Sequence, residues 1–162
     1  MKATFAVVCM VLGSLVMTTN SPAQNTAKTN YITKDNVAIK GYDVVAYFTE
    51  NKAVRGSQTF AAIHNGINYW FSSAENRTKF QAQPDKYLPQ YGGWCAFAMA
   101  MKDAKVPSDP KTFKLYNGKL YLFFNDYYQG TPFNTIIPWN AAEANMKIKA
   151  DANWNKMQYP KK

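Results

Sequence analysis

Alternating apolar and polar residues predict two β-hairpins, the first of them around Asn65-Gly66. This dipeptide favours a type I′ turn, because both central residues of that turn need positive φ. The second face of the hairpin also carries apolar groups, among them Ile63 and Trp70, so we expect the hairpin to be covered on both sides. The predicted pairs on the more apolar face are His64 with Ile67, Ala62 with Tyr69, and Phe60 with Phe71.

A second hairpin is predicted to close at Asn117-Gly118. The alternation around this turn is typical of a strand pair that rests one face on a core. The more apolar face holds Phe113, Leu115, Leu120, Leu122 and Phe124, and the other face holds Lys114, Tyr116, Lys119 and Tyr121.

Helix signals follow each hairpin. Ser72 and Glu75 have the spacing of a capping box, which predicts a helix over about 73–82 that ends before Pro84. A second helix is predicted over about 141–154.

Asn140 is the expected N-cap of that second helix, with Glu143 at the capping-box position. Together these elements predict an α+β fold in which small antiparallel β-hairpins pack with short helices and a C-terminal helix closes the domain.

The first residues are typical of a secretory leader. A basic start, an apolar run over 3–17 and a small-residue exit predict cleavage after Ala23, which would also remove Cys9. We expect a flexible tether over 24–37 and a single domain over 38–157, in the periplasm or secreted. No later segment is apolar enough to span a membrane.

The charge balance is basic but diffuse. The chain carries 19 Lys and Arg against 10 Asp and Glu, a formal charge of +9. Because the lysines never cluster and export is expected, we interpret the charge as a solvated surface and expect no nucleic-acid partner.

Cys95 gives the most direct indication of a functional site. Loss of Cys9 with the leader leaves it unpaired, although cysteines of exported proteins normally form disulfides. Met99 and Met101 lie close in sequence, and His64 is the single histidine of the chain. Thiolate, thioether and imidazole groups are the ligands of a copper(I) site, so these four residues are the predicted metal ligands and copper the predicted ion.

Cys95 and Met99 would be neighbours in a strand or a helix, and the sequence leaves that choice open. Buffering or delivery of the metal would be the role, with a metal-handling membrane or periplasmic protein as a candidate partner.

Two alternatives remain beside metal binding. Cys95 with His64 as its base would make a thiol-dependent enzyme or redox sensor, although the chain lacks CxxC, HExxH, GxSxG and P-loop motifs. Asp43 and Glu75 could contribute a carboxylate to a site. The other alternative is a ligand-binding or protein-interaction module without metal. Its candidate lining aromatics are Tyr42, Tyr47, Tyr69, Trp70, Tyr91 and Trp94.

Three segments between residues 38 and 154 carry a recognisable pattern: Gly41-Tyr42-Asp43-Val44-Val45-Ala46-Tyr47-Phe48, Tyr69-Trp70-Phe71-Ser72-Ser73-Ala74-Glu75-Asn76-Arg77 and Tyr91-Gly92-Gly93-Trp94-Cys95-Ala96. Together with shorter segments, they resemble, as a set, the secreted YHS-domain proteins.

The resemblance implies a small YHS-like domain of the kind found in metal-handling proteins. This chain departs from the family pattern at Ala46, Ser72 and Asn76, which stand where the usual cysteines would be. The usual ligand set is therefore absent, and a metal site would have to be built from Cys95 and its neighbours.

Overall fold

The computed structural model describes residues 31–159. The predicted leader and residues 24–30 of the predicted tether lie outside this range. The strands are β1 Thr33–Lys34, β2 Val37–Ala38, β3 Ser57–His64, β4 Ile67–Phe71, β5 Asp109–Tyr116, β6 Lys119–Phe123, β7 Asn125–Tyr128 and β8 Thr131–Asn134.

Short helices separate and follow the strands. Two 3-10 segments, Ile39–Gly41 and Gln90–Gly93, connect neighbouring elements. The architecture is α+β, as predicted. The α-helices are α1 Ala46–Thr49, α2 Ala74–Ala82, α3 Pro84–Tyr87, α4 Ala96–Lys102, α5 Ile136–Ala141 and α6 Glu143–Gln158.

The strands form one four-stranded sheet, in the order β1-β2-β4-β3, and two separate hairpins. The pair β2–β4 is parallel, whereas β1–β2 and β3–β4 are antiparallel. Strand β1 begins inside the predicted tether, and Ile32 just before it is 7% exposed. The folded domain thus starts earlier than the predicted boundary at residue 38.

Both predicted Asn-Gly turns close antiparallel hairpins. His64 pairs with Ile67 and Ala62 with Tyr69, as predicted. The predicted pair of Phe60 with Phe71 is wrong, because an irregularity in β3 brings Ser57 opposite Phe71 instead.

The expected cover on both sides of this first hairpin is also wrong. Ile63 on the second face is 74% exposed.

Strand β6 separates two apolar cores, and this corrects the prediction of one buried face for the second hairpin. Leu120 and Leu122 face the first core, and Tyr121 and Phe123 face the second. The first core includes Val44, Val45, Tyr47, Ile67, Tyr69, Phe71 and Phe80. The second core includes Tyr91, Ala96, Met99, Ala100, Trp139 and Ala150.

The predicted helices exist, but their caps differ. Ser73, not Ser72, is the N-cap of α2, and its hydroxyl accepts a hydrogen bond from the backbone amide of Asn76 at 3.1 Å. Glu75 does not complete a capping box with Ser72; it pairs with Lys79 one turn later, at 2.7 Å.

At the C-terminus, Ala142 precedes α6, and the predicted cap Asn140 lies inside α5. Glu143 accepts a hydrogen bond from the Trp139 indole at 3.2 Å and forms an ion pair with Lys114 at 2.7 Å. Within residues 31–159, no helix combines the length and the apolar run that a bilayer crossing requires.

Candidate functional site

Asp43 is a fully buried carboxylate that joins the segment before α1 to the segment before α2. Its Oδ1 accepts hydrogen bonds from the backbone amides of Val45 at 2.8 Å and Ala46 at 3.3 Å. Its Oδ2 accepts from the Ser72 amide at 2.8 Å, the Ser72 hydroxyl at 2.7 Å and the Asn76 side-chain amide at 2.8 Å. Both oxygens are therefore saturated by donors, and the carboxylate organises the fold.

The positions at which this chain departs from the YHS pattern meet at that carboxylate. Ser72 and Asn76 contact it through their side chains, and Ala46 contacts it through its backbone amide. Asn76 also donates to the Ser72 hydroxyl at 3.2 Å. A hydrogen-bonded cluster thus stands where the resemblance would place cysteines.

Cys95 is the N-cap of α4 and is fully buried. Its sulfur accepts a hydrogen bond from the Ala98 amide at 3.5 Å and lies 3.4 Å from the Thr135 hydroxyl oxygen. Because the single hydroxyl proton of Thr135 is donated to the Phe124 carbonyl at 2.9 Å, the thiol is the donor to Thr135. A cavity of about 80 Å³ adjoins the sulfur and is lined mainly by apolar groups.

The other predicted copper ligands lie in separate surroundings. Met99 is buried in the second core, whereas Met101 is 50% exposed. The His64 ring lies against Tyr69 and Phe80, with centroids at 6.4 and 5.7 Å.

Across the described residues, no three side chains drawn from His, Cys, Asp and Glu form a metal-ligand group. The copper site of Cys95, Met99, Met101 and His64 stays a prediction, and Cys95 is the residue on which it rests.

His64 and Cys95 do not form a nucleophile–base pair in this structure. The His64 Nε2 atom lies 3.1 Å from the Asn65 side-chain amide nitrogen, whereas the Cys95 sulfur contacts Thr135.

A cleft of about 550 Å³ opens on the face of the four-stranded sheet that points away from the first core. Tyr69 and Phe71 of β4 point into the core, and the alternating residues Asn68 and Trp70 line the cleft. Trp70 is the one of the six candidate aromatics that lines it.

Positive charge dominates the cleft. Lys34, Lys40 and Arg55 line it, against the single carboxylate of Asp35. Gln58 lies in the irregular stretch of β3 and lines the same cleft. Ammonium, guanidinium and amide groups together present hydrogen-bond donors suited to a carboxylate or phosphate.

Two of the cleft groups are held in place by their neighbours. The Arg55 guanidinium stacks 4.3 Å from the centre of the Tyr42 ring and donates to the Lys40 carbonyl at 2.6 Å. Gly41 packs directly on Trp70, because a Cβ at Gly41 would lie 2.9 Å from the indole Cε3 atom.

Backbone strain accumulates at the rim of the cleft. Ile39 and Lys40 have φ values of 49° and 53°, and the following Gly41 has 78°. A β-branched residue in the left-handed region is a true outlier, and such strain is typical of functional segments.

The cations of the cleft were not predicted, and no signal in the sequence singles them out. Lys34, Lys40 and Arg55 lie on different elements and join only when β1, the first 3-10 segment and the segment before β3 come together. No family model, curated protein or solved structure matches this chain.

Proposed function

We propose that this protein is a small ligand-binding module whose cleft takes an anionic small molecule. The observation that carries the proposal is the convergence of Lys34, Lys40 and Arg55, against Asp35 alone, around about 550 Å³ of space beside an indole. Clefts of a few hundred cubic ångströms with a small number of oriented polar groups are typical ligand sites.

Binding fits the cleft better than catalysis. Among the described residues that line it there is no His, Cys, Ser or Thr, so the Ser–His and Cys–His type of nucleophile–base pair has no member there. The Arg55 guanidinium is already held by Tyr42 and the Lys40 carbonyl, so it would lose little conformational entropy on binding an anion.

We further propose that the chain is a YHS-type domain. The support is spatial: the three departures at Ala46, Ser72 and Asn76 are brought together around Asp43. Export to the periplasm or beyond, and a soft metal at Cys95, remain predictions from the sequence on which the cleft proposal does not depend.

The test is an NMR titration of the protein with inorganic phosphate at low salt. We expect saturable shifts of the backbone amides around Lys34, Lys40 and Arg55. Lys34→Gln and Arg55→Gln should each weaken binding about tenfold, the effect of one charge-assisted hydrogen bond.

Lys111→Gln is the matched control, because Lys111 is an exposed lysine of β5 outside the cleft. It should leave phosphate affinity unchanged. Equal losses in Lys34→Gln and Lys111→Gln would show a diffuse charge effect and overturn the proposal, as would the absence of saturable binding.

A further inference from the structure

We infer that the anion recognised by the cleft carries a flat ring that stacks on the Trp70 indole. The ligand class is then an aryl or heteroaryl phosphate or carboxylate. This inference rests on the function proposed above and adds the part of the ligand that the cations do not contact.

Trp70 lies on β4, with Tyr69 before it and Phe71 after it buried in the first core. Its own side chain is half-buried and lines the cleft on the opposite face of the sheet. An indole there can offer its π-surface to a ligand while its edge rests on the protein.

Two glycines pack closely against Trp70. A Cβ on Gly41 would crowd the six-membered ring of the indole, and a Cβ on Gly56 would overlap the Trp70 carbonyl group. The Gly56 amide donates to the Gly41 carbonyl at 2.9 Å, which ties the two glycines together. Gly41 therefore packs against the six-membered ring of the indole, and Gly56 packs against the main chain of Trp70.

The Trp70 indole and the Arg55 guanidinium are linked through neighbouring residues. Arg55 precedes Gly56 directly, forms an isolated bridge with Tyr42, and is stacked on the Tyr42 ring. Gly41, which supports Trp70, lies next to Tyr42. The guanidinium and the indole are thus both held by the stretch Lys40–Tyr42, which favours preorganised recognition.

The cleft is also larger than an inorganic anion alone would fill. Its volume of about 550 Å³ lies in the range for drug-sized ligands, far above what one phosphate group fills. A ligand whose ring stacks on the Trp70 indole and whose anionic group binds Arg55 and Lys34 would contact both the aromatic and the cationic part of the cleft.

The experiment compares probes of equal charge with and without an aromatic ring. Phenyl phosphate is compared with cyclohexyl phosphate, and benzoate with cyclohexanecarboxylate, by calorimetry and by NMR of the indole N–H signals. We expect each aromatic probe to bind roughly three- to tenfold tighter than its saturated partner. Adenosine 5′-monophosphate against ribose 5-phosphate then tests whether a nucleotide base is an acceptable ring.

Trp70→Leu should abolish the aromatic preference, so that each aromatic probe and its saturated partner bind equally. Ile63→Ala is the control, because Ile63 is an apolar residue of the neighbouring strand that is 74% exposed and does not line the cleft. It should keep the full preference. Near-native chemical shifts away from the cleft will show that Trp70→Leu is folded.

The outcomes separate the two proposals. Phosphate binding without any aromatic preference overturns this inference and leaves the proposed function standing. A preference that survives Trp70→Leu also overturns it. Failure of every anion to bind overturns the proposed function itself.

Discussion

At the scale of single residues, the structure gives Asp43 its clearest role. A carboxylate removed from water is costly unless its oxygens are compensated by donors. Asp43 receives donors from two distant segments, so its charge links the start of the domain to the β4–α2 junction.

Asp43→Asn should therefore destabilise the protein by roughly 2–4 kcal/mol, because the new amide group would face donors that need an acceptor. Urea unfolding should show a lower midpoint with an unchanged slope. Glu75→Gln is the control, since it removes only an exposed ion pair with Lys79, and its midpoint should not move. Equal midpoints for both variants would contradict the structural role of Asp43.

Cys95 should react slowly with iodoacetamide in the native protein and rapidly in urea. The sulfur is fully buried and hydrogen-bonded at the start of α4, so alkylation requires local opening. Mass spectrometry of the adduct over time measures both rates. Fast alkylation of the native thiol would instead favour the thiol-enzyme or redox-sensor alternative.

The copper hypothesis predicts that Cys95→Ser lowers copper(I) affinity by orders of magnitude, whereas Met99→Leu lowers it less. Binding should weaken as pH falls, because the thiol must lose its proton to become a ligand. A competition titration with an anaerobic copper(I) chelator measures both effects. The same affinity in wild type and Cys95→Ser would rule out Cys95 as the copper ligand.

At the scale of elements, the glycine that ends the second 3-10 segment couples backbone conformation to packing. Gly93 has a φ of 83°, and a Cβ there would overlap Ile39 and Ile32. Both isoleucines are buried, so neither can move aside without disturbing its neighbours.

Gly93→Ala should destabilise the protein more than Gly130→Ala, although both glycines have positive φ. Gly130, in the β7–β8 turn, has a φ of 78° and nothing within 4 Å of an added Cβ. Gly130→Ala should cost about 1 kcal/mol from backbone strain, and Gly93→Ala roughly 1–3 kcal/mol more from overpacking. Thermal or urea unfolding of the pair measures the difference, and equal costs would contradict the close packing around Gly93.

At the scale of the whole molecule, β6 makes the two cores depend on each other. Its alternating residues contribute to both, and buried tyrosines lie on either side. Burial raises the pKa values of Tyr47 and Tyr69 in the first core and of Tyr91 in the second. For Tyr91, the hydrogen bond donated to Asp151 at 2.8 Å raises the pKa further.

Stability should therefore fall as the pH rises above about 10, the ordinary pKa of tyrosine. When the pKa of a phenol is higher in the folded state than in the unfolded state, its stabilising contribution is complete below the unfolded-state pKa. That contribution is lost as the pH rises from the unfolded-state pKa through the folded-state pKa, because the unfolded phenol ionises first. Urea midpoints between pH 8 and 11.5 measure the decline. Tyr47→Phe should make it shallower, by up to about 1.4 kcal/mol per pH unit, and an unchanged slope would contradict the burial of its phenol.

Local chemistry was sufficient to predict the hairpins at Asn65-Gly66 and Asn117-Gly118. Both turns need positive φ at adjacent residues, and the flanking alternation agrees with the observed register near the turns. The α2 helix was predictable for a similar reason, since helix propensity, a capping serine and Pro84 lie close together in sequence.

Contacts between distant segments decided the rest. Ser72 and Ser73 are equally good N-cap residues in isolation. The Ser72 hydroxyl donates its hydrogen bond to the buried Asp43 carboxylate, and Ser73 is the residue that caps α2. Alternation within β6 marks its two faces but does not reveal that α4 and α6 cover the second one.

Cys95 is a free thiol in the described part of the chain, and the sequence predicts this state only through the expected loss of Cys9 with a leader. The burial of its sulfur depends on Thr135, forty residues away, which the sequence does not place beside it. The cleft depends on distant segments too, since Lys34, Arg55 and Trp70 share no local pattern. Turns and caps are short-range and can be predicted from neighbours in the chain, whereas burial and charge convergence are long-range and exist only in the folded molecule.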